Sequence, residues 1–335
     1  RRRRRDRQQH WRRFRLVLIA VLIAPGAERM LLIAGGLGDP SLHALAEAAQ
    51  ALGRPWVDLR VPTGSSPPFH WDLDTDPAPP GPGTASRLIP PWGDGPLPRG
   101  AFIRQDVFAA LDDRRPEVGT RALGWYAAVQ GWLLAHPEVA LFNRDITPVP
   151  FNKPAALLRA RAVGLPVPPT WVSNDASRLG QRLSEACIAK PVAGGGLCQT
   201  LDEALRDAPR PAQGQAPFLA MPALVQPRLV APELRIFVIG AQTFAFEVRS
   251  PSLDYRALQD ADVQAVPVPS RAAQPLHALM REFRMDFGAA DFKTDPDSGE
   301  LVFLELNTSP MFARFDAACG GALCRAMVEH LTADH

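Results

Sequence analysis

The sequence predicts an α/β protein of the α+β kind, with a small α/β domain ahead of two larger lobes, and three stretches predict it. MLLIAGGLGDPSLHALAEAAQALG, from Met30, reads as a strand, a glycine turn and a helix beginning near Ser41, the usual opening of an α/β domain. ALVQPRLVAPELRIFVIGAQTFAFEVRS reads as two strands on either side of a turn at Gly240. MDFGAADFKTDPDSGELVFLELN, ending at Asn307, reads as two further strands joined by TDPDSGE, whose Asp, Pro, Ser and Gly residues are turn formers.

The remaining elements follow in order. WVDLRV supplies a second strand of the first domain and AFIRQDVF a third. EVGTRALGWYAAVQGWLLAHP has apolar residues at helical spacing, so Trp125, Tyr126 and Trp132 read as packing. A helix from Lys153 to Val163 stops at Gly164, TWVS forms a short strand, and Asn174 or Asp175 caps a helix over 178–186. Residues 62–98 hold many of the chain's 35 prolines and read as a long irregular loop or lid. The expected divisions are 1–29, 30–141, 142–221 and 222–335.

At 335 residues with 46% hydrophobic content, the chain can bury a sizeable core. Its net charge of +2 is uneven. Residues 1–29 hold ten Arg against Asp6 and Glu28, a net of +8, which leaves −6 for the rest. The body therefore lacks a general basic patch for nucleic acid. The segment 1–29 is expected to lie outside the core fold. Its arginines followed by FRLVLIAVLIAPGA also resemble a secretory signal, but the apolar run is short for a membrane span and no clean small-x-small site follows. Cys187, Cys198, Cys319 and Cys324 form no C-x-x-C pair and have no histidine at zinc spacing, which predicts free thiols in a reducing, cytoplasmic setting. No G-x-S-x-G elbow is present.

The chemistry concentrates in the second half. Glu305-x-Asn307 sets oxygen donors at period-2 spacing on a strand, and a hairpin would bring Asp291 beside Glu305. This is the hard-oxygen chemistry of Mg²⁺ that also holds nucleotide phosphates. The bland alternative is the polar alternation of a half-solvated strand. Lys190 ends a small apolar strand and precedes Gly194, Gly195 and Gly196, a cation beside a loop whose N–H groups can close over phosphates. Gln226, Glu233 and Arg235 punctuate the strand-rich hinge, where a nucleotide needs polar groups; the alternative for Glu233 and Arg235 is a surface ion pair.

These pieces, in order, resemble a known family. Asn152-Lys153 ahead of a helix and GLPVPPTWVSND, then IAKPVAGGG, VQPRLVAPELRIFVIG, and GAADF with FLELN are together similar to the ATP-grasp ligases, and among them to the RimK-like glutamate ligases and the microviridin-type (graspetide) peptide ligases. The likeness covers 142–331. It implies two α+β lobes gripping ATP, with 30–141 as a pre-ATP-grasp domain. It further implies that Lys153 and Lys190 touch ATP phosphates, with Lys190 also near adenine, and that Gly194, Gly195 and Gly196 lie over the triphosphate. Gln226, Pro227, Arg228 and Leu229 would line adenine, and Glu233 would bind ribose. Arg235 and Arg256 would contact the γ-phosphate or an acyl phosphate; relatives often carry D-W-R where this chain has Asp254-Tyr255-Arg256. Asp291, Glu305 and Asn307 would hold two Mg²⁺ ions, with Mn²⁺ as a substitute.

The reaction so implied makes an acyl phosphate from a carboxylate and ATP, then an amide or ester with an amine or hydroxyl. The carboxylate substrate is a peptide, a protein or a small molecule. Two other readings remain: a small-molecule ligase or ATP-grasp kinase, and a nucleotide-binding module without turnover. Downstream, Met311, Phe312 and Phe315 are expected to make an apolar rim and Arg314 to meet a carboxylate. The sequence leaves monomer and homodimer open.

Overall fold

The computed structural model describes residues 29–65, 68–73, 97–181, 186–192, 198–206, 218–250 and 261–334. The segment 1–28, most of the Pro-rich stretch, Gly194, Gly195, Gly196 and Arg256 lie outside the described residues. The chain divides into two compact units, one ending at Phe142 and taking in the residues from Cys324, the other Asn143–Leu323.

In the first unit, strands β1 (Leu31–Gly36), β2 (Trp56–Val61), β3 (Gly100–Ile103) and β4 (Ala140–Leu141) form a parallel sheet in the order β2-β1-β3-β4. Every residue of β1 is buried, as a central parallel strand requires. Helix α1 (Pro40–Ala51) starts where Asp39 accepts a hydrogen bond from the Ser41 N–H at 2.8 Å. Helices α2 (Ala109–Asp112) and α3 (Pro116–Ala135) follow. Trp125 and Trp132 of α3 share a core with Leu32, Ala34 and Ala101, so these aromatics serve packing.

The second unit begins with α4 (Lys153–Ala162), which is capped by Asn152 through the Ala155 N–H at 3.1 Å. A small antiparallel sheet in the order β5-β8-β6-β7 contains β5 (Trp171–Asp175), β6 (Cys187–Pro191), β7 (Gln199–Thr200) and β8 (Phe218–Pro227), with α5 (Ala176–Gly180) and α6 (Leu201–Arg206) between strands. α5 starts two residues before the predicted 178 because Asp175 caps it through the Ser177 and Arg178 N–H groups. The predicted lobe boundary at 221/222 falls inside β8, which pairs with both β5 and β6.

A larger antiparallel sheet follows in the order β11-β10-β9-β12-β13: β9 (Val230–Ile239), β10 (Gln242–Arg249), β11 (Asp262–Val266), β12 (Phe287–Thr294) and β13 (Leu301–Asn307). One face packs Leu234, Ile236, Ala290, Phe292, Phe303 and Leu306 against Leu157 and Ala160 of α4 and Leu276, Leu279 and Met280 of α7 (Ser270–Glu282). Leu224 of the small sheet joins the same core. The other face of β9 and β10 sets Phe237 and Phe246 against Phe315 of α8 (Ala313–Ala318), with ring centroids 5.0 and 5.3 Å apart.

The C-terminal helix α9 (Ala322–Leu331) departs from the predicted division. From Cys324 onward its residues belong to the first unit, where His330 stacks on Phe142 at 5.0 Å and Arg99 Nε donates to Ala333 O at 2.9 Å. The apolar face of this helix, with Met327, Val328 and Leu331 fully buried, explains the return.

Two local features shape the larger sheet. A bulge at Leu304 shifts the register between Asp291 and Phe292 of β12, so Phe303 and Leu306, three apart, both reach the core while Glu305 and Asn307 point to the opposite face. Gly288 lets the strands approach closely: a Cβ there would sit 2.9 Å from the Asn307 carbonyl oxygen. Gly288→Ala should therefore destabilise the protein by about 1–3 kcal/mol, read as a lowered urea midpoint at unchanged slope. An unchanged midpoint would show that β13 yields freely.

Candidate active site

Three strands of the larger sheet, β9, β12 and β13, carry the charged groups on one face. Asp291 of β12 stands opposite Arg235 of β9 on one side and Glu305 of β13 on the other, and Lys293 stands opposite Glu233. The side chains follow this register. Arg235 Nη1 lies 3.4 Å from Asp291 Oδ1, and Lys293 Nζ lies 2.9 Å from Glu233 Oε2. Glu233 and Arg235 thus pair across the sheet rather than with each other. Arg235 lies against two aromatic rings, its guanidinium carbon 5.3 Å from the centroid of Phe315 and 5.6 Å from that of Phe237.

Asn307 Nδ2 donates to Asp291 Oδ2 at 3.1 Å, and Lys153 Nζ, from the first turn of α4, lies 3.0 Å from Glu305 Oε2. The hairpin thus brings Asp291, Glu305 and Asn307 together with Lys153. Lys190, on β6 of the small sheet, is close enough for its charge to act on Asp291 and to feel Glu305, Lys153 and Lys293. Burial lowers the Lys190 pKa, Cys198 and Glu305 oppose that shift, and the two neighbouring lysines add to it. An anion placed there would oppose the lowering.

Asp291 is the most perturbed acid. Burial pushes its carboxyl up from 3.8 to about 7; Arg235 opposes, Glu305 and Glu233 add by repulsion, and Lys190 opposes. A divalent cation removes this cost. The donor set is two carboxylates and a carboxamide, all hard oxygen, and among the described residues no cluster of three His, Cys, Asp or Glu side chains could hold a metal ion alone. Such a set fits Mg²⁺, which takes few protein ligands and completes its shell with waters and phosphate oxygens. Asp291, Glu305 and, through its amide oxygen, Asn307 are the residues that would hold it.

The adenine-lining candidates sit at the end of β8. Gln226 is buried, Pro227 pairs with Cys187, Arg228 is exposed and its N–H donates to Ala186 O at 2.7 Å, and Leu229 is buried. The predicted apolar rim is reduced to Met311, since Phe312 and Phe315 are both buried. Arg314 Nη1 donates to the Ala261 carbonyl at 3.1 Å.

Two contributors escaped the sequence reading. Lys293 could have been found from the mirrored spacings Glu233-x-Arg235 and Asp291-x-Lys293. Asn143 gives no such signal. At φ 55°, it donates through Nδ2 to the carbonyls of Phe287 and Thr308 at 2.8 and 3.1 Å and accepts at Oδ1 from the N–H groups of Asp286 and Phe287, both at 3.1 Å. It therefore ties the start of β12 to the end of β13, the strands that carry the candidate metal ligands.

No protein-family model matches the chain, and no curated protein matches it in sequence. Solved structures do match in shape. The ATP-grasp ligase PsnB, in complex with a phosphomimetic variant of its minimal precursor, Mg and ADP, aligns at TM-score 0.65 and 21% identity, over 90% of this chain and 98% of that one. The chain has the ATP-grasp ligase fold. The macrocyclase MdnC from Microcystis aeruginosa MRC, bound to precursor peptide MdnA, aligns at 0.62 and 19% identity over 90% and 98%. The D-cycloserine synthetase DcsG aligns at 0.54 and 17% over 90% and 99%. Among the described residues, no helix is long and apolar enough to cross a membrane.

The raised Asp291 pKa makes a stability prediction. Between pH 4 and about 7 the folded carboxyl holds a proton that the unfolded one has released, so its contribution to stability falls as pH rises and stays lost above 7. Asp291→Asn should raise the Tm of the ligand-free protein at pH 8 by several degrees and by less at pH 5. Equal gains at both values would contradict the shift. Asn143→Asp replaces the two N–H donors of Nδ2 with a single oxygen facing the Phe287 and Thr308 carbonyls, and should lower stability by about 1–3 kcal/mol and raise the Mg²⁺ concentration needed for nucleotide binding.

Proposed function

We propose that this protein is an ATP-dependent ligase that activates a carboxylate as an acyl phosphate and joins it to an amine or hydroxyl, with a peptide as substrate. The observation that carries the reading is the convergence of Asp291, Glu305 and Asn307 with Lys153, Lys190 and Arg235 on an ATP-grasp fold. The precursor peptides named with PsnB and MdnC support the substrate class. The four free cysteines support a cytoplasmic location.

In this mechanism Lys153 and Lys190 draw the triphosphate to the strand face, and the arriving phosphates oppose the lowering of the Lys190 pKa by burial. Arg235, lying against Phe237 and Phe315, offers N–H donors to the transferring phosphoryl group. Glu233, fixed by Lys293, accepts the ribose hydroxyls. Mg²⁺ held by Asp291, Glu305 and Asn307 would neutralise phosphate charge as the γ-phosphorus is attacked. A carboxylate oxygen of the substrate bonds to the γ-phosphorus and ADP departs. The amine or hydroxyl then bonds to the acyl carbon, inorganic phosphate leaves, and the proton of the nucleophile goes with the phosphate. The scheme needs no side-chain nucleophile. The roles of Gly194, Gly195 and Gly196 over the triphosphate, and of Arg256 beside the acyl phosphate, belong to the same proposal.

The test is ADP release from Mg²⁺-ATP with candidate acidic peptides. Asp291→Asn and Glu305→Ala should each lower turnover by about a hundredfold or more while circular dichroism stays unchanged. Full turnover in both variants would remove the metal assignment. Turnover with free amino acids alone would move the substrate to a small molecule.

A further inference from the structure

The ladder between β6 and β7 pairs Ile188 with Thr200 and Ala189 with Gln199, and the same register sets Lys190 opposite Cys198. Paired residues of an antiparallel ladder share a face and stand about 4.5–5.5 Å apart at Cβ. Ala189 lies on the other face, in a core with Leu179, Leu201 and Val225, so Lys190 and Cys198 turn together toward the opposite side. Leu224, paired with Lys190 on β8, marks that side as the one that packs against the larger sheet. Burial lowers the Lys190 pKa, and the Cys198 thiolate is the foremost group that opposes the lowering.

This pair has what a reactive thiol needs. The thiolate is the nucleophile, and a neighbouring cation favours it over the thiol. Lys190 makes no hydrogen bond and no ion pair among the described residues, so its buried ammonium faces Cys198 without a competing partner. Cys198 is half-buried, which leaves its sulfur open to a small reagent. The other three thiols are placed differently. Cys187 and Cys324 are buried. Cys319 is half-buried like Cys198, but burial pushes its thiol up and the Asp316 carboxylate adds to that by repulsion.

We infer that Cys198 is a site of reversible oxidation by hydroperoxides, and that its sulfenic acid takes Lys190 away from the triphosphate. The thiolate sulfur attacks one oxygen of the hydroperoxide. An S–O bond forms, the O–O bond breaks, and the departing hydroxide or alkoxide takes a proton from solvent. Sulfur is oxidised by two electrons and the peroxide is reduced by two. The new S–OH oxygen accepts a hydrogen bond from the Lys190 ammonium across the ladder and fills the space where a phosphate oxygen would stand. An added thiol reverses the step through a mixed disulfide. The oxidation site stands on the Lys190–Cys198 pair, whereas its effect on the nucleotide rests on the ligase reading above.

The experiment exposes the full chain to hydrogen peroxide, traps sulfenic acid with dimedone, and reads each of the four cysteines by peptide mass spectrometry. Cys198 should be labelled about tenfold faster than Cys319, Mg²⁺-ATP should protect Cys198 alone, and Lys190→Gln should remove the difference between the two thiols. Calorimetric titration with Mg²⁺-ATP should show binding lost after peroxide and regained after dithiothreitol, and Cys198→Ser should keep its binding through the treatment. Equal labelling of Cys198 and Cys319 in the wild type, or a Cys198 rate unchanged in Lys190→Gln, overturns the oxidation site. Unchanged ATP affinity of the oxidised chain, absence of protection by ATP, or loss of binding by peroxide-treated Cys198→Ser overturns its control of the nucleotide. Failure of the untreated wild type to bind ATP overturns the ligase reading, and the labelling of Cys198 against Cys319 still decides the site. Should Lys190→Gln not fold, that wild-type comparison decides.

Discussion

Asp291 sits on the central strand of a three-strand ladder, with a carboxylate beside it on β13 and another diagonal to it on β9. Burial and those two like charges hold its pKa near 7, against the attraction of Arg235 and Lys190. A fold selected for stability alone would not place three acids on one half-buried sheet face, because each carboxylate costs free energy as it is desolvated. The surrounding cations offset that cost only in part, since burial lowers the pKa of Lys190 as well. The ligand-free site is thus internally strained in charge. A divalent cation with phosphate supplies both missing signs at once.

That strain needs a stiff frame, and the structure provides one at each end of the ligand strands. The side-chain amide of Asn143 uses both donors and accepts twice to tie β12 to the residue after β13. At the hairpin end, Asp295 accepts from the Asp297 and Ser298 N–H groups, both at 2.9 Å, and Gly299 takes φ 70°. Between the two, the bulge at Leu304 lets Phe303 and Leu306 anchor in the core without turning Glu305 and Asn307 away from Asp291. Precise ligand placement follows from core packing on the opposite face of the same strands.

Much of this was legible in the sequence because it is local. The strand, glycine turn and helix after Met30 form as read, and so does the hairpin that sets Asp291 opposite Glu305. Local pattern could also name Lys153, since Asn-Lys-Pro is a cap followed by the first helical residues. What was not legible depends on contacts distant in sequence. The clamp of Asn143 joins residues 143 to 165 positions apart. α9 returns to a sheet begun near residue 31, which no period in the chain announces. Phe312 and Phe315 looked like a solvent-facing rim because apolar residues after a strand do not reveal which side the chain turns to. In the fold they meet Phe287, Phe237 and Phe246.

The two sheets of the second unit divide the work by the kind of interaction each can offer. The larger sheet presents ionic groups whose strength depends on burial, the kind of group that would draw phosphates and a metal ion. The small sheet presents the buried carboxamide of Gln226, whose Nε2 donates to Thr170, and Thr170 donates in turn to the Pro168 carbonyl. Leu224 of the small sheet and Ile236 and Phe303 of the larger one belong to a single core that includes Leu157 of α4. A shift in that packing would move the strand that carries Gln226 and the charged face relative to each other. The strand that carries Gln226 and the strands that carry the charged groups are therefore kept in register by the same apolar contacts.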